Sequence, residues 1–259
     1  MCYDVRYLTK RLADYERRYG DMADLTDLAH RIDPAFGHNQ SRYHSNAFQH
    51  PELPVILNTN EPAVSFASWG LVPFWTKDAT ASKQIQNLTL NARGEELFEK
   101  PSFKEPAQNR RCVILLDGFF EHHHRSNKTF PYHILHADAR PMSVAGLWDQ
   151  WLNIDTGIEV QTVTIVTTVG NKRMSEIHNN PKLTGPRMPV ILDENTEQDW
   201  LSKDTFDVNR VASFLDPYSE DLLDAYTVRP LRGKASMGNQ QKAIEQFAYM
   251  ELQKGLFDM

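Results

Sequence analysis

Arg111-Cys112-Val113-Ile114-Leu115-Leu116-Asp117-Gly118-Phe119-Phe120-Glu121-His122-His123-His124 is the stretch from which the fold reads outward. A continuous apolar run of strand length stops at the turn pair Asp117-Gly118 and resumes as an aromatic run. Strands are predicted over residues 111–116 and 118–124. Cys112, inside the first run, is expected to be a small core hydrophobe and not a reactive thiol. Downstream, residues 130–136, 142–148 and 158–168 repeat the pattern, the last being dense in β-branched residues. Upstream, Val55 to Trp75 shows short apolar runs broken by Pro54, Pro62, Gly70 and Pro73, which suggests strands and turns.

Helical spacing appears around this block. Leu8, Leu12, Tyr15 and Tyr19 share one face of an amphipathic helix over residues 8–19. Short helices are expected over 94–100 and 170–178, a further strand over 188–192, and helices near 194–203, 207–214 and 239–254. Strands and helices do not alternate regularly, so a doubly wound parallel sheet is excluded. The predicted fold is α+β, with a mostly antiparallel, barrel-like sheet and helices packed around it. No Gly/Ser- or Pro-rich linker divides the chain and no fixed-period repeat is visible, so residues 1–259 are expected to form a single domain.

The chain has 259 residues, 41% of them hydrophobic, enough for a sizeable core. Its net charge of −6 opposes non-specific nucleic-acid binding by the molecule as a whole and leaves room only for a local basic groove. No apolar run is long enough to span a bilayer, and Cys2-Tyr3-Asp4-Val5-Arg6 does not begin a signal peptide. A soluble, cytoplasmic monomer is expected. Two distant cysteines do not make a disulfide framework. There is no P-loop, dinucleotide-binding glycine pattern, zinc-finger spacing or Gly-x-Ser-x-Gly elbow. Consecutive strand residues face opposite ways, so His122, His123 and His124 cannot all bind one ion; no metal and no cofactor are expected.

Cys2 is the most informative residue. Cysteine is small enough to permit removal of Met1, which would leave an α-amine and a thiol on adjacent carbons. The α-amine, with a pKa of roughly 7.7–8.0, has an appreciable neutral, nucleophilic fraction near neutrality. An aldehyde can form a Schiff base with it, and the thiol can then close a five-membered thiazolidine. An internal cysteine, its nitrogen locked in an amide, cannot do this. The competing interpretation is a chance residue on a frayed terminus.

Four further motifs follow in order: Trp69-Gly70-Leu71-Val72-Pro73-Phe74-Trp75 leading to Asn91-Ala92-Arg93; Arg111 to Glu121; His178; and Arg187-Met188-Pro189-Val190-Ile191-Leu192. With these motifs the sequence resembles the SRAP family (SOS response-associated peptidase), proteins that crosslink to abasic sites. The resemblance runs from residue 2 to 192 and more loosely through the helices expected over 194–259. It implies an SRAP-like fold, catalytic residues Cys2, Asn91, Glu121 and His178, and Arg93 and Arg187 as contacts to DNA phosphates. It implies as partner single-stranded DNA containing abasic sites, including single/double-strand junctions, with the protein nucleoid-associated when bound. It also implies Schiff-base chemistry of the lyase type and an autocatalytic peptidase activity that exposes Cys2. The chain departs from the family pattern where Tyr3 stands in place of the usual Gly, and where Asn179 to Pro186 separates the histidine from Arg-Met-Pro as an expected extra loop.

Each role has a physical reason. An abasic sugar is mostly a closed hemiacetal, so opening it requires proton transfer, for which a histidine is suited. Glu121 can exchange a proton with the amine or sugar if a pocket raises its pKa. Asn91 can donate and accept, and Arg93, two residues on in an extended segment, shares its face. Trp69, Phe74 and Trp75 fit either stacking on unpaired bases or burial in the core. Three rivals remain: an N-terminal-nucleophile amidohydrolase using Cys2, a cysteine-type peptidase, and a non-catalytic DNA-binding module.

Overall fold

The computed structural model describes residues 2–7, 42–60 and 64–253. The helix expected over 8–19 lies outside them. In chain order the strands are β1 (Asp4–Tyr7), β2 (Arg42–Asn46), β3 (Glu52–Leu57), β4 (Val64–Trp69), β5 (Asn91–Arg93), β6 (Arg111–Leu116) and β7 (Gly118–Arg125). They continue with β8 (Lys128–His136), β9 (Met142–Asn153), β10 (Ile158–Val169), β11 (Arg187–Pro189), β12 (Ile191–Leu192) and β13 (Leu223–Thr227). The described helices are α1 (Ala79–Leu88), α2 (Pro101–Asn109), α3 (Lys172–Ile177), α4 (Glu194–Trp200), α5 (Val208–Ala212) and α6 (Met250–Gln253).

β3, β4, β10, β9 and β6 pair in a closed ring, because β9 and β10 join the two ends of the path. β5 and β11 extend it from β10, and β12 from β9. A second sheet runs β13-β8-β7-β1-β2. The β4–β10 and β5–β10 pairings are parallel and the other strand pairings antiparallel. The fold is therefore α+β around a mostly antiparallel barrel, as the sequence predicts.

β6 explains why its sequence is continuously apolar. Cys112, Ile114 and Leu116 point into one core with Val55, Trp69 and Val163. Val113 and Leu115 point into the other, with Trp200, Phe206 and Phe214. Both faces are covered, and every position from Cys112 to Leu116 is apolar. At the turn into β7, Gly118 has φ +151°, and a Cβ there would meet the Ile134 carbonyl oxygen at 2.5 Å. Only glycine lets β6 pass into β7 against β8.

Several elements differ from expectation. The helix predicted over 94–100 is a 3-10 turn at Gly94–Glu96, and helix α2 begins at Pro101, whose missing N–H costs nothing in a first turn. Helix α1 was not anticipated, although Asp78 caps it by accepting from Ala81 N at 2.8 Å. The 188–192 strand is split at Val190, which leaves β11 on β10 and β12 on β9. The helix expected over 239–254 is replaced by a 3-10 turn at Gln241–Ile244, an extended stretch and the short α6. Phe247 N donates to Thr227 O at 2.8 Å, and Tyr249 packs edge-on against Phe130 with ring centroids 5.0 Å apart. The open edge of β13, itself unanticipated, claims this segment and overrides its helical pattern.

Candidate active site

Cys2 leads directly into β1. That strand pairs antiparallel with β7, aligning Asp4 with Phe120 and Val5 with Phe119, so the chain ahead of Asp4 runs alongside Glu121. β5 approaches from the barrel, and the Asn91 side-chain amide donates to the Cys2 carbonyl at 2.8 Å. The Asn91 Oδ1 atom is buried and has no hydrogen-bond partner among the described residues, so it remains available as an acceptor. Helix α3 is capped by Asn171, whose side chain accepts from Met174 N at 2.9 Å. Its C-terminal cap is His178. The chain then loops out from residue 179 to 186 and returns as β11, where Arg187 N lies 3.1 Å from His178 Nδ1. The imidazole Nδ1 is in turn 3.9 Å from Glu121 Oε1. The structure thus brings together Cys2, Asn91, Glu121 and His178, although they come from four separate stretches of sequence.

Burial sets the electrostatics. It raises Glu121 to about 7 and lowers His178 to about 4. Near neutral pH His178 is therefore a neutral imidazole, while Glu121 is poised between its two forms. Donating from Nδ1 to the Arg187 carbonyl, which lies 3.1 Å away, would leave Nε2 unprotonated as the proton acceptor. Burial, reinforced by the Glu121 carboxylate, pushes the Cys2 thiol well above its ordinary value. Cys112 is raised by burial alone and sits in β6 with no link to the site.

Glu121 and His178 open onto a cleft of about 360 Å³. Asn180 and Leu183 of the 179–186 loop form part of its wall. The loop is docked on β7 through Asn179, which accepts from His124 N at 2.7 Å and donates to His124 O at 3.0 Å. His122 and His124 also line the cleft, while His123 turns away toward the Glu176 carbonyl.

The expected DNA contacts fare unevenly. Trp69 is fully buried and its indole N–H donates to Leu90 O at 2.7 Å, so it is a core residue with no face for a base. Phe74 and Trp75 are exposed at 57% and 49%, on a loop held by the Asp149 carboxylate accepting from Phe74 N. Neither lines the cleft. Arg187 is buried, and its guanidinium forks onto Glu95 at 2.5 and 2.8 Å and donates to Thr167 O at 2.8 Å. In this structure its guanidinium is engaged in an ion pair within the protein. Arg93 is more open and donates to Glu96 at 3.1 Å.

Two residues at the cleft, Asp4 and Arg232, escape the sequence patterns. Asp4 is buried beneath it and accepts from His44 Nε2 at 2.8 Å, Asn46 Nδ2 at 3.0 Å and Arg232 Nη2 at 2.7 Å. Burial alone would raise Asp4, but the His44 hydrogen bond and the Arg232 charge outweigh it and hold the carboxyl below its usual value. Asp4 follows Cys2 by two residues in an extended segment, which is a usable signal; nothing in sequence links either to residue 232.

Comparison with known proteins supplies the lineage. A Bacillus subtilis protein named abasic site processing protein YoqW is 36% identical over 180 residues, covering 69% of this chain and 75% of that protein. Abasic site processing protein HMCES of Pongo abelii is 32% identical over 185 residues, and the match covers 57% of this chain and half of that one. Among solved structures, a Bacteroides thetaiotaomicron protein superposes with a TM-score of 0.79 at 33% identity, over 95% of this chain and 100% of that one. A Bordetella bronchiseptica protein shares the fold at 24% identity, with a TM-score of 0.66 over 88% of this chain and 99% of that one. The model of the family described as SOS response associated peptidase (SRAP) matches residues 7–234, and the chain belongs to that family.

Proposed function

We propose that this protein captures abasic sites in single-stranded DNA covalently, through the amine and thiol of Cys2 after Met1 is removed. The observation that carries the proposal is that Tyr3, next to a buried Cys2 whose carbonyl Asn91 holds, lines one cleft with the Glu121–His178 pair. Two relatives bearing the name abasic site processing protein support the choice of substrate.

The chemistry follows from the groups present. Neutral His178 accepts the hydroxyl proton as the hemiacetal opens, and a proton returned to the ring oxygen releases the aldehyde. The Cys2 α-amine adds to the carbonyl carbon, and loss of water gives an imine. Glu121, titrating near neutrality, supplies the proton that lets hydroxide leave as water. The thiol then gives its proton to the imine nitrogen as sulfur bonds to the same carbon. One aldehyde and one aminothiol become one thiazolidine and one water, with no oxidation. Asn91 Oδ1 is available to accept from the α-amine or a sugar hydroxyl. Phe74 and Trp75 offer stacking surface for neighbouring bases.

The test is intact-mass analysis of the protein mixed with abasic single-stranded DNA. The expected product is the chain without Met1, joined to one DNA strand with loss of one water. Cys2→Ala abolishes the stable adduct and Cys112→Ala retains it. Full adduct formation by protein that still carries Met1, or by Cys2→Ala, overturns the proposal.

A further inference from the structure

Arg232 is a candidate anion contact that the sequence motifs do not mark. It lines the same cleft as Glu121 and His178, and its side chain is 53% exposed. The hydrogen bond it makes to Asp4 uses Nη2 alone, so most of its five-donor fork is directed elsewhere. Its position is fixed from both sides of the chain. Val228 N donates to Pro131 O at 2.9 Å, Leu231 is buried against Phe120, and Ser236 Oγ donates to Leu231 O at 2.8 Å. The Asp4 carboxylate that holds it also receives His44 and Asn46, so its negative charge is shared among three donors and does not belong to Arg232 alone. Arg187, by contrast, has its fork closed on Glu95.

Resting on the proposed capture of abasic DNA, we infer that Arg232 binds a backbone phosphate adjacent to the abasic nucleotide, seating the sugar against Glu121 and His178. An anchored, half-exposed guanidinium in a walled cleft has lost side-chain freedom before binding, which favours a bidentate phosphate contact. The Asp4 bridge then links the phosphate contact to β1, two residues from the nucleophile.

The experiment measures binding of a single strand carrying one tetrahydrofuran residue, which has no aldehyde and cannot crosslink, across a salt series. Arg232→Gln is expected to weaken binding about tenfold at low salt. The slope of log affinity against log salt should become shallower by about 0.7, the value for one contact to a single strand. Arg232→Lys should keep the slope and recover part of the affinity, since it preserves charge but not the fork. Arg140→Gln removes the same charge at a residue outside the cleft and should leave the slope unchanged. Equal effects of Arg232→Gln and Arg140→Gln, or no effect of either Arg232 variant, would overturn the inference while leaving covalent capture intact. Failure of the wild-type protein to bind the strand at all would instead sink the capture reading, and the phosphate contact with it.

Discussion

At Glu121 and His178, burial moves two ordinary side chains toward each other's usual range. Glu121 stands at about 7 against the ordinary 4.5. A carboxyl raised by folding contributes stability fully below pH about 4.5 and loses it as pH rises through about 7. Glu121→Gln removes the titration, so the variant is expected to be more stable than wild type at pH 8, on the order of 1–3 kcal/mol, with the difference shrinking by pH 5. Thermal melts across this range check it; a parallel offset at every pH would refute the buried-charge account. The same variant should lose the limb near pH 7 from the rate profile of capture. His178→Ala should slow single-turnover capture by about 10²–10⁴-fold while sparing DNA affinity, and a wild-type rate would move the proton-transfer role elsewhere. Residue identity made these two legible, because a glutamate after Gly-Phe-Phe and a lone histidine before Arg-Met-Pro stand in recognisable motifs. The commitment of Arg187 to Glu95 and the complete burial of Trp69 were not legible, since both depend on partners far away in sequence.

At the scale of elements, strands were easier to read than the segments that close them. β6 through β10 announce themselves by apolar runs and β-branched residues, whereas β13 is a strand because β8 pairs with it, and the stretch after residue 244 is extended because it joins the other edge of β13. The 179–186 loop shows what such local reading misses. It separates His178 from Arg187 in sequence, yet antiparallel pairing of Val169 with Arg187 returns the chain to the same place. The loop then becomes cleft wall instead of a solvent excursion, with Asn179 as its fastening to β7. Asn179→Ala is therefore expected to raise the rate of tryptic cleavage after Lys182, with little change in global melting, because local opening precedes cleavage and the lost bonds are exposed ones. Time-resolved peptide mapping checks this; an unchanged cleavage rate would mean that Pro181 and Leu183 hold the loop without Asn179.

For the whole molecule, the barrel and its helical cover are held together by one buried cation that the apolar pattern of β6 conceals. Arg111 opens that strand and is fully buried, stacked over the Phe206 ring at 3.6 Å. Its guanidinium donates to the carbonyls of Ala107, Gln108, Trp200, Ser202 and Asp204, at distances from 2.5 to 3.2 Å. α2, the end of α4 and the segment leading to Phe206 are thus tied to one point on the barrel. Burial lowers its pKa to about 10, which still leaves it protonated at neutral pH. Replacing it with Met fills the volume but strands those carbonyls away from water, and a cost of about 3–5 kcal/mol is expected. At roughly 2–4 °C per kcal/mol for a chain of this size, the melting temperature should fall by roughly 6–20 °C. Arg111 does not line the cleft, so Arg111→Met should capture abasic DNA at the wild-type rate per folded molecule well below its melting point. An unchanged melting temperature would show that the carbonyls find other partners. A lowered capture rate in protein that remains folded would instead show that the helical cover, and not only the strands β1, β5 and β7, sets the geometry at Cys2.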